Sequence, residues 1–81
     1  MAIAHTDIVE RIARVLAGQR LSANAEGIEH SAGPAVDEAW LEHVEDALAI
    51  LRTLREPDAR MAAAGDAAVW QRMIRAALSE A

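Results

Sequence analysis

The segment from residue 34 to 55 limits the possible folds of this chain most strongly. It reads PAVDEAWLEHVEDALAILRTLR, and its large apolar residues recur at spacings of three and four. That spacing predicts an amphipathic helix, because side chains three and four positions apart lie on one face. Further apolar residues widen the face to about half the circumference, which indicates two partner helices rather than one. The face is formed by Val36, Trp40, Leu41, Val44, Ala47, Leu48, Ile50, Leu51 and Leu54.

A shorter amphipathic helix is predicted near the start of the chain, over residues 6–18. Its apolar stripe consists of Ile8, Val9, Ile12, Val15 and Leu16. Asp7 and Glu10 have the spacing of a capping box, with Thr6 as the alternative cap, and Gly18 is the expected stop. Residues 19–33 show no sustained period and contain two glycines, Asn24 and two serines, so they predict a long loop.

The stretch LREPDARMAAAGDAAVW predicts that one helix ends and two more begin. Pro57 lacks the N–H that would continue the long helix, and Asp58 is placed to cap a short helix over 58–64. Gly65 is expected to close that helix in a left-handed conformation, and Asp66 to cap a last helix over 66–79. A kink at Gly65 within one continuous helix is the open alternative.

These segments predict an all-α fold, a small three- to four-helix bundle with helices at about 6–18, 34–55, 58–64 and 66–79. The scarcity of strand formers agrees, since the only aromatic residues are Trp40 and Trp70. A chain of 81 residues is expected to form a single domain, 1–81, with both tryptophans in one core. The predicted core and interface residues are Trp40, Leu41, Val44, Leu48, Ile50, Leu51, Leu54, Trp70, Met73, Ile74 and Leu78.

The residue types that carry most enzyme chemistry are sparse or poorly placed. The chain has no cysteine, which excludes thiolate metal sites and thiol nucleophiles, and its four glycines never cluster into a phosphate loop. His43 lies between Glu42 and Asp46, but carboxylate–histidine metal sites in bundles need inward-pointing ligands from several helices. The sequence therefore predicts a non-enzymatic protein with no cofactor and no metal site.

Nucleic acid and membrane are poor matches as partners. The formal net charge is −5, whereas affinity for a phosphate backbone comes from clustered cations. The segment 58–79 could still form a helix-turn-helix, with Arg72 and Arg75 on its second helix, so a small DNA-associated regulator is the alternative function. The longest apolar run, ALAIL, is too short to span a bilayer, and the first residues lack the pattern of a secretory signal, so we expect a cytoplasmic protein.

The pattern W…LREPDARMAAAG…WQRMIRAAL resembles short uncharacterised all-helical proteins of high-GC bacteria and their prophages. The matching residues cover about half the chain: Trp40, Leu54, Arg55, Glu56, Pro57, Met61, Ala64, Gly65, Trp70, Met73, Ile74, Ala77 and Leu78. The resemblance implies the helical architecture and brings no activity, cofactor or catalytic residue.

The function that the sequence predicts best is protein interaction. The apolar face from Ile50 round to Leu41 is wide, and two neighbouring helices are expected to leave part of it bare. A second copy of the chain would cover the remainder in a two-fold dimer, the commonest closed arrangement. We therefore expect a homodimer, or else a complex with an unidentified protein partner.

Overall fold

The structure is a computed structural model that describes residues 3–24 and 33–79. These residues form five α-helices and contain no strand: α1 (Ile8–Asn24), α2 (Gly33–Ala39), α3 (Val44–Leu54), α4 (Ala59–Ala64) and α5 (Ala67–Ala77). A 3₁₀ turn, Trp40–His43, links α2 to α3 without a break. The described residues therefore hold four uninterrupted helical segments, and the predicted all-α class of three to four helices is confirmed.

Helix α1 begins at Ile8, two residues after the predicted start, and ends at Asn24, six residues later than predicted. The carboxylate of Asp7 accepts the backbone N–H of Glu10 at 2.9 Å, so Asp7 caps the helix. Gly18 does not stop it: a Cβ at Gly18 would lie 3.8 Å from Val36 Cγ2, so this glycine lies within the helix and faces α2. The predicted loop 19–33 is wrong over 19–24, which are helical, and at Gly33, which begins α2, while 25–32 lie outside the described residues.

The long helix predicted at 34–55 is present as a helical run from Gly33 to Leu54, but it is not α-helical throughout. The backbone tightens into the 3₁₀ turn at Trp40, after Ala39 at φ −98° and ψ −17°. A 3₁₀ turn has three residues per turn instead of 3.6, so it rotates the side chains that follow relative to an unbroken α-helix. The faces of α2 and α3 are therefore not one continuous stripe.

Residues 58–79 form two helices rather than one kinked helix. Asp58 caps α4 through the N–H of Met61, and Asp66 caps α5 through the N–H groups of Ala68 and Val69. Gly65 has φ −157° and ψ −156°, which is extended backbone, so the expected left-handed conformation is wrong. The last helix ends at Ala77, two residues earlier than predicted, and Ser79 adopts a left-handed φ of 59° just beyond it.

The chain divides into two compact units, Met1–Ala47 and Leu48–Ala81, and the division falls within α3. In the first, the N-terminal unit, α1 packs against α2 and the 3₁₀ turn. Its fully buried residues are alanines: Ala13, Ala17 and Ala47. In the second, the C-terminal unit, Leu51 is fully buried and Ile74 is 5% exposed. The single-domain organisation stays a prediction.

Candidate interaction surface

Two large apolar side chains of the C-terminal unit are buried, and an indole hydrogen bond joins two of its helices. The Nε1–H of Trp70 donates to the backbone carbonyl of Leu54 at 2.6 Å, which ties α5 to the end of α3. That carbonyl belongs to the last turn of α3, where no further helical N–H can satisfy it. Leu51 and Ile74, both predicted core residues, are buried.

Around this small core, large apolar side chains remain exposed. Met73 is 63% exposed, and four others in the unit are between 37% and 39% exposed. Ile50 and Leu54 lie four residues apart on α3, as do Val69 and Met73 on α5, so each pair occupies one helix face. The hydrogen bond of Trp70, the residue next to Val69, brings these two helices together. We call this set the apolar surface: Ile50, Leu54, Met61, Val69 and Met73.

The turn residues that the sequence singled out support this surface. The Asp66 carboxylate accepts two backbone N–H groups, from Ala68 at 2.9 Å and Val69 at 3.2 Å, and so fixes the start of α5. Asp58 accepts the N–H of Met61 at 3.0 Å and fixes the start of α4. Both aspartates act as the sequence predicts, since capping depends on residues only two or three positions away.

In the N-terminal unit, Arg14 joins α1 to the helical run that begins at Gly33. Its Nε donates to Glu10 at 2.8 Å and its Nη1 to Asp37 at 2.5 Å. The guanidinium also lies over the Trp40 ring, 5.5 Å from its centroid, a distance at which a cation is attracted by the ring face. The hydrogen bonds to Asp37 and then to Glu10 raise the pKa of Arg14 above its ordinary value. The group is therefore charged throughout the physiological pH range.

Among the described residues of the N-terminal unit, Leu41 is the most exposed large apolar residue on a helical element, at 65%. Three acidic residues lie within four positions of it in the sequence. Glu38 lies three residues before it, Glu42 follows it directly, and Glu45 lies four residues after it; all three are exposed.

The predicted core and interface residues separate into three groups. Leu51 and Ile74 are buried. Half-buried positions are Trp40, Val44, Leu48, Trp70 and Leu78. Leu41, Ile50, Leu54 and Met73 are exposed.

Two aspects of the core differ from the sequence analysis. Val15, placed on the buried stripe of the first helix, is 59% exposed, so that part of the prediction is wrong. The buried face of α1 is instead centred on Ala13 and Ala17, which the apolar stripe did not include. Small side chains are buried where helices approach closely, and a stripe defined by large residues does not reveal them.

A polar cleft of about 330 Å³ lies in the N-terminal unit, where the sequence raised His43 as a candidate ligand. It is lined by Ala17, Arg20, Leu21, Ala39, Glu42, His43 and Asp46. His43 Nδ1 is 3.9 Å from Asp46 Oδ2, too far for a hydrogen bond. Within residues 3–24 and 33–79, no group of three or more His, Asp or Glu side chains is arranged to hold a metal ion.

The two helices of the alternative DNA-binding segment are short and closely joined. Helix α4 has six residues, and only Gly65 and Asp66 separate it from α5. A helix-turn-helix joins its helices through a turn of three or four residues. Arg72 and Arg75 are exposed on α5, as the DNA-binding interpretation requires.

None of the helices in the described part of the chain is long and apolar enough to cross a membrane. Comparison of the chain with protein-family models, curated proteins and solved structures found no match. The resemblance to the short helical proteins of high-GC bacteria and their prophages therefore stays a prediction.

Proposed function

We propose that this protein is a non-enzymatic, cytoplasmic interaction module that self-associates through the apolar surface of its C-terminal unit. The observation that carries the proposal is the balance of buried and exposed residues in that unit. Two large apolar side chains, Leu51 and Ile74, are buried, whereas the five of the apolar surface are 37–63% exposed. Exposed apolar patches mark protein interaction sites in soluble proteins, and we propose that these five residues form one.

A second copy of the chain is the occupant that the size argument favours. The chain has 81 residues, and a domain of this size buries only about 60% of the surface that its unfolded chain exposes, so its stability margin is small. It has no cysteine, and its described residues include no metal-binding group, so neither disulfides nor a metal site there would add stability. Association of two copies would remove further apolar area from water, at about 25 cal/mol per Å².

The direct test is sedimentation equilibrium of the purified chain at micromolar concentration. We expect a species of about twice the 8.7-kDa chain mass that dissociates on dilution. Met73→Glu and Ile50→Glu place a charge within the apolar surface and should shift the equilibrium toward monomer. Ala68→Glu is the matched control, because Ala68 is exposed on α5 and outside the apolar surface.

A monomeric wild-type chain at all concentrations would overturn the proposal and favour a different protein as partner. Equal effects of Met73→Glu and Ala68→Glu would show that added charge, rather than the apolar surface, controls association. The DNA-binding alternative predicts instead a salt-sensitive mobility shift of duplex DNA that is abolished by Arg72→Glu.

A further inference from the structure

We infer that Met73 is an oxidation-sensitive site, at which conversion of the thioether to a sulfoxide by hydrogen peroxide weakens the association of two copies of the chain. This rests on the proposed function, because it names how that same apolar surface is regulated. Met73 is the most exposed member of the apolar surface, at 63%.

The sulfur atoms of the described residues all lie on the apolar surface. The chain has no cysteine and three methionines, Met1, Met61 and Met73. Met1 lies outside the described residues, and the other two are members of the apolar surface. Methionine side chains are flexible and polarizable, and proteins use them at adaptable binding surfaces. Because the chain has no thiol, its thioethers are the sulfur groups on which peroxide acts.

Exposure selects Met73 among the two described methionines. Met73 is 63% exposed on α5, whereas Met61 is 39% exposed on α4. Peroxide must reach the sulfur atom from solvent, so Met73 should be oxidised before Met61.

The interactions that hold α5 in place do not involve the Met73 side chain. Ile74 is the buried residue of α5, at 5% exposure, and the Trp70 indole donates to the Leu54 carbonyl. The Asp66 carboxylate fixes the start of the helix. A sulfoxide at Met73 therefore lies in solvent in the separated chain and leaves the fold of the unit intact.

The oxidation transfers two electrons from sulfur to peroxide. The Met73 Sδ lone pair attacks one peroxide oxygen, so that an S–O bond forms and the O–O bond breaks. The departing hydroxide takes the proton from the oxygen that sulfur has gained, and water is released. The product side chain is polar and carries a hydrogen-bond acceptor. Burying that acceptor without a donor against another copy is unfavourable, so association weakens.

The modification can be reversed enzymatically. Methionine sulfoxide reductases, one for each sulfoxide epimer, return the sulfoxide to the thioether. A dithiol supplies the two electrons: its two thiols become a disulfide, and the sulfoxide oxygen leaves as water. Met73 can therefore switch association off and on again.

The test measures the dissociation constant by sedimentation before and after treatment with hydrogen peroxide, while peptide mass spectrometry follows oxidation of Met61 and Met73. We expect Met73 to gain one oxygen first, and the dissociation constant to rise about tenfold as it does so. Treatment with both reductases and a dithiol should restore the original constant. Far-UV circular dichroism should stay unchanged throughout.

Conservative variants assign the effect to Met73. Met73→Leu keeps an apolar side chain of similar volume without sulfur, so it should associate like the wild type and lose the peroxide response. Met61→Leu is the matched control and should keep the response. Met73→Gln places a polar amide at the same position and should weaken association without peroxide. A full peroxide response in Met73→Leu would overturn the inference.

The outcomes distinguish this inference from the proposed function. An untreated wild-type chain that is monomeric at all concentrations overturns both. A wild-type dimer whose dissociation constant is unchanged by complete oxidation of Met73 leaves the proposed function intact and overturns the inference alone. Loss of helical circular dichroism on oxidation of Met73 also overturns it, because the sulfoxide would then act on folding rather than on association.

Discussion

At Gly65, the effect of one added methyl group on stability can be predicted from the backbone geometry. Its backbone is extended, and a Cβ there would meet no atom within 4 Å. Gly65→Ala should therefore stabilise the chain by about 0.5 kcal/mol, because alanine loses less backbone freedom on folding. Urea denaturation at one fixed protein concentration measures the change. The reverse exchange next to it, Ala64→Gly, should destabilise, and destabilisation by Gly65→Ala would contradict the extended geometry.

Also at the residue scale, the sequence predicted the helix caps, which depend on neighbouring residues. It missed the buried alanines, which depend on packing between helices. Asp7, Asp58 and Asp66 cap helices as predicted, because their acceptors bind N–H groups within three residues. The burial of Ala13 and Ala17 depends on how closely another helix approaches α1. That approach is a tertiary property, and the periodicity of large side chains carries no information about it.

At the scale of helices, the two aspartate caps should contribute unequally to stability. Asp66 accepts two N–H groups and starts α5, which carries the buried Ile74 and the Trp70 hydrogen bond. Asp66→Ala should therefore cost about 1 kcal/mol in the free energy of unfolding, and Asp66→Ser should restore most of it. Helix α4 has no buried residue, so Asp58→Ala should mainly increase amide hydrogen exchange within α4. Equal global losses in the two alanine variants would contradict this assignment.

Helix boundaries followed local signals only where no tertiary contact opposed them. Pro57 is followed by the capped start of α4, and no packing is needed to explain why α3 ends before it. Gly18 is a helix-stop signal by type, yet α1 continues through Gln19, Arg20 and Leu21, all three of which are strong helix formers. Gly18 itself faces Val36. The 3₁₀ turn at Trp40–His43 contains no proline or glycine that would predict a change of backbone geometry. Its position therefore could not be read from residue type.

At the scale of the whole molecule, the exposed part of the apolar face was partly predictable. The sequence indicated a face on the long helix that was too wide for a small core and named Leu41 and Ile50 as its flanks, and the structure leaves both exposed. Which flank of the face would be covered was not predictable, because that depends on the packing of α5 at the end of α3, shown by the Trp70 hydrogen bond.

The predicted single domain can be tested because each unit contains one tryptophan. Trp40 lies beneath the Arg14 guanidinium in the N-terminal unit, and Trp70 is bound to Leu54 in the C-terminal unit. Trp40→Ala leaves Trp70 as the only fluorescent reporter, and Trp70→Ala leaves Trp40. Both tryptophans are half-buried, so each substitution should cost about 3 kcal/mol, the lower end of the range for a buried tryptophan. If the chain unfolds as one cooperative domain, the remaining tryptophan must report the same lowered midpoint as far-UV circular dichroism in each variant.

Trp→Phe at each position controls for the loss of ring packing, and all samples are compared at one protein concentration because association raises the midpoint. A Trp70 fluorescence transition that stays at the wild-type midpoint in Trp40→Ala would show that the two units unfold independently.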